Sequence, residues 1–125
     1  MDEALAKTEE WRRRMLNKLL FVVQAQATGA GDRSSLLQDH LAFMTSLEQR
    51  GLLFAAGPLL DEAGAPSGDG LVILRAGSTA EAVELMAADP YVTAGLRTVK
   101  VRPWRVMEGS VTVRLSYAAG TFQLD

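Results

Sequence analysis

The chain has 125 residues, 48% of them apolar and 22% charged, with a formal net charge of −2, one histidine and no cysteine. That length suits a single domain, 1–125, with one core, and the residue counts exclude disulfide scaffolds, thiol nucleophiles, thiolate or three-histidine zinc sites and H-E-x-x-H metalloproteases. The near-neutral charge offers no basic face to a nucleic acid, and no apolar run reaches the roughly 18–20 residues of a membrane span.

Residues from Asp2 to Lys18 read as an N-terminal helical extension, with acids at its start and Arg12-Arg13-Arg14 near its end, an order that complements the helix dipole. Ala4, Trp11 and Met15 give it a narrow apolar stripe. The basic patch, the apolar Leu19 to Val23 and the small residues Ala25 and Ala27 imitate a secretory signal. The apolar run is shorter than the roughly 7–15 residues such a signal needs, so the expectation is a soluble cytoplasmic protein.

Leu19 to Ala27 is a strand by its Leu, Phe and Val content, broken at Thr28-Gly29-Ala30-Gly31. A helix follows from Arg33 to Arg50, with Gly51 as its C′ residue and Asp32 or Ser34 as its cap. Leu52 to Leu59 is a second strand ended by Gly57-Pro58. Residues 61–70 (DEAGAPSGDG) form a turn-rich loop, and Leu71 to Ala76 is a third strand. Ser78 and Glu81 make a capping box for a helix that ends by Ala88, because Pro90 pushes Asp89 out of the helical region. Arg97 to Val106 is a fourth strand, and after Glu108-Gly109 a C-terminal strand alternates Val111, Val113, Leu115 and Tyr117 with polar residues. The central order is β-α-β-β-α-β, an α+β ferredoxin-like arrangement whose antiparallel sheet carries helices on one face. An apolar open face on a small domain points to a second copy of the chain.

Two residues stand out chemically. His40, the one imidazole, lies on the same side of the second helix as Leu36, Leu37, Leu41, Phe43, Met44 and Leu47. It is either a core histidine satisfied by a carbonyl or an imidazole in a partly dry pocket, suited to proton transfer. Asp89 sits at a helix C-terminus, the unfavourable end of the dipole for a carboxylate. It is either a solvated turn residue or the partner that orients His40. The Gly29-Ala30-Gly31-Asp32-Arg33-Ser34 segment lacks the third glycine of a dinucleotide loop, and no serine sits in a nucleophile elbow. Lys100 and Arg102 either attract an anion from the open sheet face or form a solvated strand face.

Asp39-His40-Leu41, Arg50-Gly51-Leu52-Leu53 leading to Ala56-Gly57-Pro58-Leu59, Ala88-Asp89-Pro90-Tyr91 with Ala94-Gly95-Leu96, and Val101-Arg102-Pro103-Trp104 together resemble the YciI-like (YCII-related) proteins. The resemblance covers Leu19 to Val106. It implies a ferredoxin-like protomer pairing sheet to sheet as a dimeric α/β barrel, with His40 and Asp89 at the positions of the family's acid/base pair. The wider superfamily includes muconolactone isomerase and a dehydrochlorinase acting on a chlorinated hydroxyhydroquinone. The helix at 1–18 and the strand in 107–125 depart from the compact form, and each either covers a sheet edge or bridges dimers.

The expectation is therefore a small enzyme of lyase or isomerase type, dehydrochlorinase-like or muconolactone-isomerase-like, using neither cofactor nor metal. Its substrate would be a small cyclic or aromatic-derived metabolite. His40 would move the proton, Asp89 would fix its tautomer, and Tyr91, Arg102 and Trp104 would line the pocket. The partners would be that small molecule and a second copy of the chain, as a homodimer or a higher oligomer, with no nucleic acid and no membrane. The alternative is a non-catalytic dimeric module that binds a small ligand or regulates a partner. A third reading makes the His40–Asp89 pair a structural hydrogen bond.

Overall fold

Four segments with strand-forming sequences build one antiparallel sheet: β1 (Lys18–Ala27), β2 (Leu53–Leu60), β3 (Pro66–Leu74) and β4 (Arg97–Val106), in the order β2-β3-β1-β4. This computed structural model describes residues 2–125. Between the strands lie α2 (Leu37–Gln49), entered through a single 3-10 turn at Ser34–Leu36, then α3 (Thr79–Ala87) and the one-turn α4 (Pro90–Thr93). An N-terminal α1 (Glu3–Arg14) and a hairpin of β5 (Val113–Ser116) and β6 (Thr121–Leu124) complete the elements. The chain divides into two compact units, Leu19–Arg105 and the pair of terminal segments 2–18 and 106–125. No helix among the described residues is long and apolar enough to cross a membrane.

The register of the central strands explains the core. Phe21 faces Leu74 and Val23 faces Val72 across the β1–β3 pair. Since side chains alternate along a strand, these four share one side. Leu47 of α2 and Ala82 and Met86 of α3 close over them, with Phe43, Met44, Val99 and Val101 partly buried at the margin. On the opposite side of the sheet the alternation sets Leu20, Val22 and Ile73 beside Lys100, Arg102 and Trp104. That side is not uniformly bare, since Leu20 and Ile73 are buried while Lys100, Arg102 and Trp104 are exposed.

Several boundaries differ from the sequence expectation, each for a local reason. Helix α1 stops at Arg14, four residues early, where Met15 turns extended and Asn17 adopts a φ of 50°. It buries none of its residues, so nothing rewards extending it beyond its own Lys7–Glu3, Arg12–Glu9 and Arg14–Glu10 pairs. Strand β3 begins at Pro66, inside the stretch expected to be loop, because Pro58 and Leu60 of β2 pair with Gly70 and Pro66, and Ser67 Oγ donates to the Leu59 carbonyl at 2.6 Å. The capping box at α3 is displaced by one residue. Ser78 Oγ accepts from Glu81 N–H at 3.1 Å, but Glu81 reaches back to the N–H of Gly77. At the C-terminus there are two strands where one was expected. Val113 and Leu115 face Leu124 and Phe122, and Gly120, at a φ of 63°, supports the turn between them.

The helix face expected from periodicity also divides. Leu47 is fully buried, whereas Leu41, on the same stripe, is 53% exposed. Replacing Leu47 by Ala should therefore cost about 2–5 kcal/mol in urea denaturation, and replacing Leu41 by Ala about 0.5 kcal/mol or less. Equal losses from the two substitutions would contradict this division of the helix face.

Candidate active site

The Ala88-Asp89-Pro90 sequence dictates the local geometry. Pro90 cannot continue α3 and restricts the residue before it to extended backbone, and Asp89 accordingly has φ −61° and ψ 126°. Pro90 then occupies the first turn of α4, where its missing N–H costs nothing. The carboxylate of Asp89 turns back to cap that helix, accepting from the Tyr91 N–H at 3.0 Å. The expected clash with a helix C-terminus is thus corrected: Asp89 is the N-cap of the next helix, at the favourable end of its dipole. A four-residue helix is too short to show in hydrophobic periodicity, so its one sign in the sequence is Asp-Pro read as N-cap and first helical residue.

The same oxygen, Asp89 Oδ1, lies 2.9 Å from Nδ1 of His40, which α2 brings from 49 residues earlier. Asp89 is 1% exposed and the His40 side chain 14%. A carboxylate is acceptor-only, so Nδ1 carries the proton and donates, leaving Nε2 as the lone-pair nitrogen. Tyr91 stacks on the imidazole, with ring centroids 4.2 Å apart and planes 13° from parallel. The ring is thereby fixed by a hydrogen bond at one nitrogen and by stacking across its face. Asp89 Oδ2 is buried and has no hydrogen-bond partner among the described residues.

His40 and Tyr91 line a cavity of about 480 Å³ between α2 and the sheet. Its apolar wall includes Leu37, Leu41, Met44, Leu53 and Val72, and the Gly57-Pro58 pair of β2 also borders it. Its remaining polar groups are two arginines. Arg97, buried at the start of β4, donates through Nε to the Gly68 carbonyl at 3.1 Å and stands 5.0 Å from the centre of the Tyr91 ring. Arg33 donates through Nη1 to that same carbonyl, also at 3.1 Å. Burial pulls the Arg97 guanidinium below its ordinary pKa, and the neighbouring charge of Arg33 pulls the same way. Asp89, Tyr91 and Asp69 pull against them.

The structure brings His40, Asp89 and Tyr91 together. It does not bring Arg102 or Trp104 to them. Both are exposed on β4, on the side of the sheet away from the helices, and neither lines the cavity. Arg33 and Arg97 escaped the sequence reading. For Arg97 a signal existed: it falls two residues before Val99 and so shares the helix-facing side of β4 with Val99 and Val101. Arg33 sits in a loop before the 3-10 turn, where no periodicity could mark it.

Comparison with known proteins places this fold. A solved structure similar to it is that of the 5-chloro-2-hydroxyhydroquinone dehydrochlorinase TftG from Burkholderia phenoliruptrix AC1100, in complex with 2,5-dihydroxybenzoquinone. The TM-score is 0.56, the match covers 68% of this chain and 92% of that one, and the sequences are 23% identical. At that identity the likeness speaks for the fold alone. None of the curated proteins matches the sequence. The model of the YCII-related domain matches residues 18–105, the segment that holds the four-stranded sheet except Val106 and every residue lining the cavity. The chain belongs to the YCII-related family.

Proposed function

We propose that this protein is a small-molecule enzyme of lyase or isomerase type, in which His40 takes up and returns a proton on a small cyclic or aromatic-derived substrate. The observation that carries the reading is the hydrogen bond from His40 Nδ1 to a buried carboxylate, on an imidazole that lines a cavity within the size range of small-molecule sites. A purely structural histidine would need the hydrogen bond but not the cavity beside it.

In this reading the substrate's C–H or O–H proton passes to Nε2, and the imidazole becomes an imidazolium. Asp89, already facing Nδ1–H, stabilises the charge without itself becoming protonated. Tyr91 keeps the ring from swinging as it gains and loses charge. The proton is then returned to a different atom of the substrate in an isomerisation, or leaves with a departing group in an elimination. The fold likeness to a dehydrochlorinase supports trying an elimination substrate first. The protein would work as a homodimer paired through the face of the sheet away from the helices.

The direct test is incubation in D₂O with 5-chloro-2-hydroxyhydroquinone, related hydroxylated rings and muconolactone, followed by proton NMR. At least one compound should lose a C–H signal or be converted, and His40→Asn should abolish this while the protein stays folded. Conversion that persists in His40→Asn would remove the imidazole from the mechanism. No exchange with any compound would favour a binding module instead. Asp89→Asn isolates the role of the carboxylate, because an amide can still accept the Tyr91 N–H. It should lower kcat by about a thousandfold or more, as expected where the wrong tautomer is favoured, with a much smaller change in Tm than in rate. A kcat within a few-fold of the parent would show that Asp89 acts only in folding.

A further inference from the structure

The cavity wall holds two guanidiniums whose nearby carboxylates, Asp89 and Asp69 for Arg97 and Asp32 for Arg33, act on them only at a distance. Arg33 and Arg97 meet on one acceptor, the Gly68 carbonyl oxygen, and that contact is the one hydrogen bond either guanidinium makes among the described residues. Neither belongs to an ion pair there. The nearby acids bond to other donors: Asp69 accepts from the Ala27 N–H at 2.9 Å, Asp89 accepts from His40 and Tyr91 through Oδ1, and Asp32 accepts from Ser34. No Asp or Glu is among the residues lining the cavity.

This convergence depends on particular residues of the chain. Gly68 has a φ of 98°, and a Cβ there would fall 2.7 Å from Nη1 of Arg33. A Cβ on Gly70 would fall 3.3 Å from Nη1 of Arg97. The two glycines on either side of Asp69 thus leave room for the two guanidiniums to lie against the backbone of β3. A carbonyl supplies only a partial negative charge, so like charges beside an apolar wall remain costly. An anionic oxygen group would satisfy the vacant donors, and the planar donor fork of arginine matches such groups.

We infer that the cavity takes an anionic ligand, a small ring compound whose carboxylate or ionised ring oxygen is held by Arg33 and Arg97. The inference rests on the cavity being the substrate site and adds the charge of the substrate to that reading. It also separates two tasks on the cavity wall: the arginines fix the ligand, and His40 acts on it.

Matched probes test it on the intact protein. For a carboxylate the pairs are benzoate with benzamide, salicylate with salicylamide, and 4-hydroxybenzoate with 4-hydroxybenzamide. For a ring oxyanion the pair is 2,5-dihydroxybenzoquinone with 2,5-dimethoxybenzoquinone. Binding is read by saturation-transfer NMR and calorimetry. In at least one pair the anion should bind about tenfold or more tightly than its neutral partner, and Arg33→Gln and Arg97→Gln should each remove that preference. Whichever pair responds identifies the anionic group, and either outcome supports the inference. It is overturned if no anion outbinds its neutral partner, or if the preference survives in Arg33→Gln. The latter variant decides alone should Arg97→Gln fail to fold. Charge-dependent binding without His40-dependent proton exchange keeps this inference and overturns the catalytic reading. Conversion of a neutral compound, indifferent to Arg33→Gln, does the reverse.

Discussion

The carboxylate of Asp89 is withdrawn almost entirely from water, and a buried carboxylate costs several kcal/mol unless donors replace its hydration. Much of the site follows from meeting that requirement. Pro90 has no N–H to give, so the first donor the following turn can offer is the N–H of Tyr91, and it is used. The second donor comes from α2 in the form of His40 Nδ1–H. Both donate to one oxygen. A single Asp-Pro junction therefore ends α3, starts α4, and fixes which nitrogen of the histidine is bound to the carboxylate.

Tyr91 connects this polar pair to the rest of the cavity. It stacks on His40, receives the Arg97 guanidinium near its ring, and supplies the backbone N–H that helps hold Asp89. Two of these contacts use the π-system of the ring and the third uses the main chain. The outcome is a site whose parts come from three places in the chain and share one aromatic side chain as their reference surface. The irregular start of β3 plays the corresponding role for the arginines, since its backbone carbonyl rather than an acidic side chain gathers them.

The sheet, its two main helices and the central order of elements were legible because they are written in composition and local signals: the Leu, Phe and Val content of β1, alternation in β4, a helical stripe ending at Gly51, and a capping box before α3. His40 and Asp89 were legible because residue type and position coincided, a lone imidazole on an apolar face and an acid next to a proline. The arginine pair was not. Its meaning depends on a carbonyl reached across the sheet and on glycine conformations that leave no trace in periodicity. The strand at Pro66–Gly70 was missed for a related reason, as it pairs with β2 although its residues have a turn-like composition. The apolar stripe of α2 overstated burial because periodicity reports a face, and part of that face borders a cavity instead of the core.

The separation of His40 and Asp89 by 49 residues has a consequence for how the protein comes into being. Each half of the split βαβ unit contributes one member of the pair, and neither half can bring the other's member close by local structure formation. Contacts of such long sequence separation form only after the entropy of closing the intervening loop has been overcome. Until then Asp89 can remain hydrated at no electrostatic cost, and the imidazole has no fixed tautomer. The bonded pair is thus absent from any half-folded chain and arrives together with the β1–β3 pairing and the docking of both helices, so on the proposed function the earliest activity during refolding would date the completion of the fold itself.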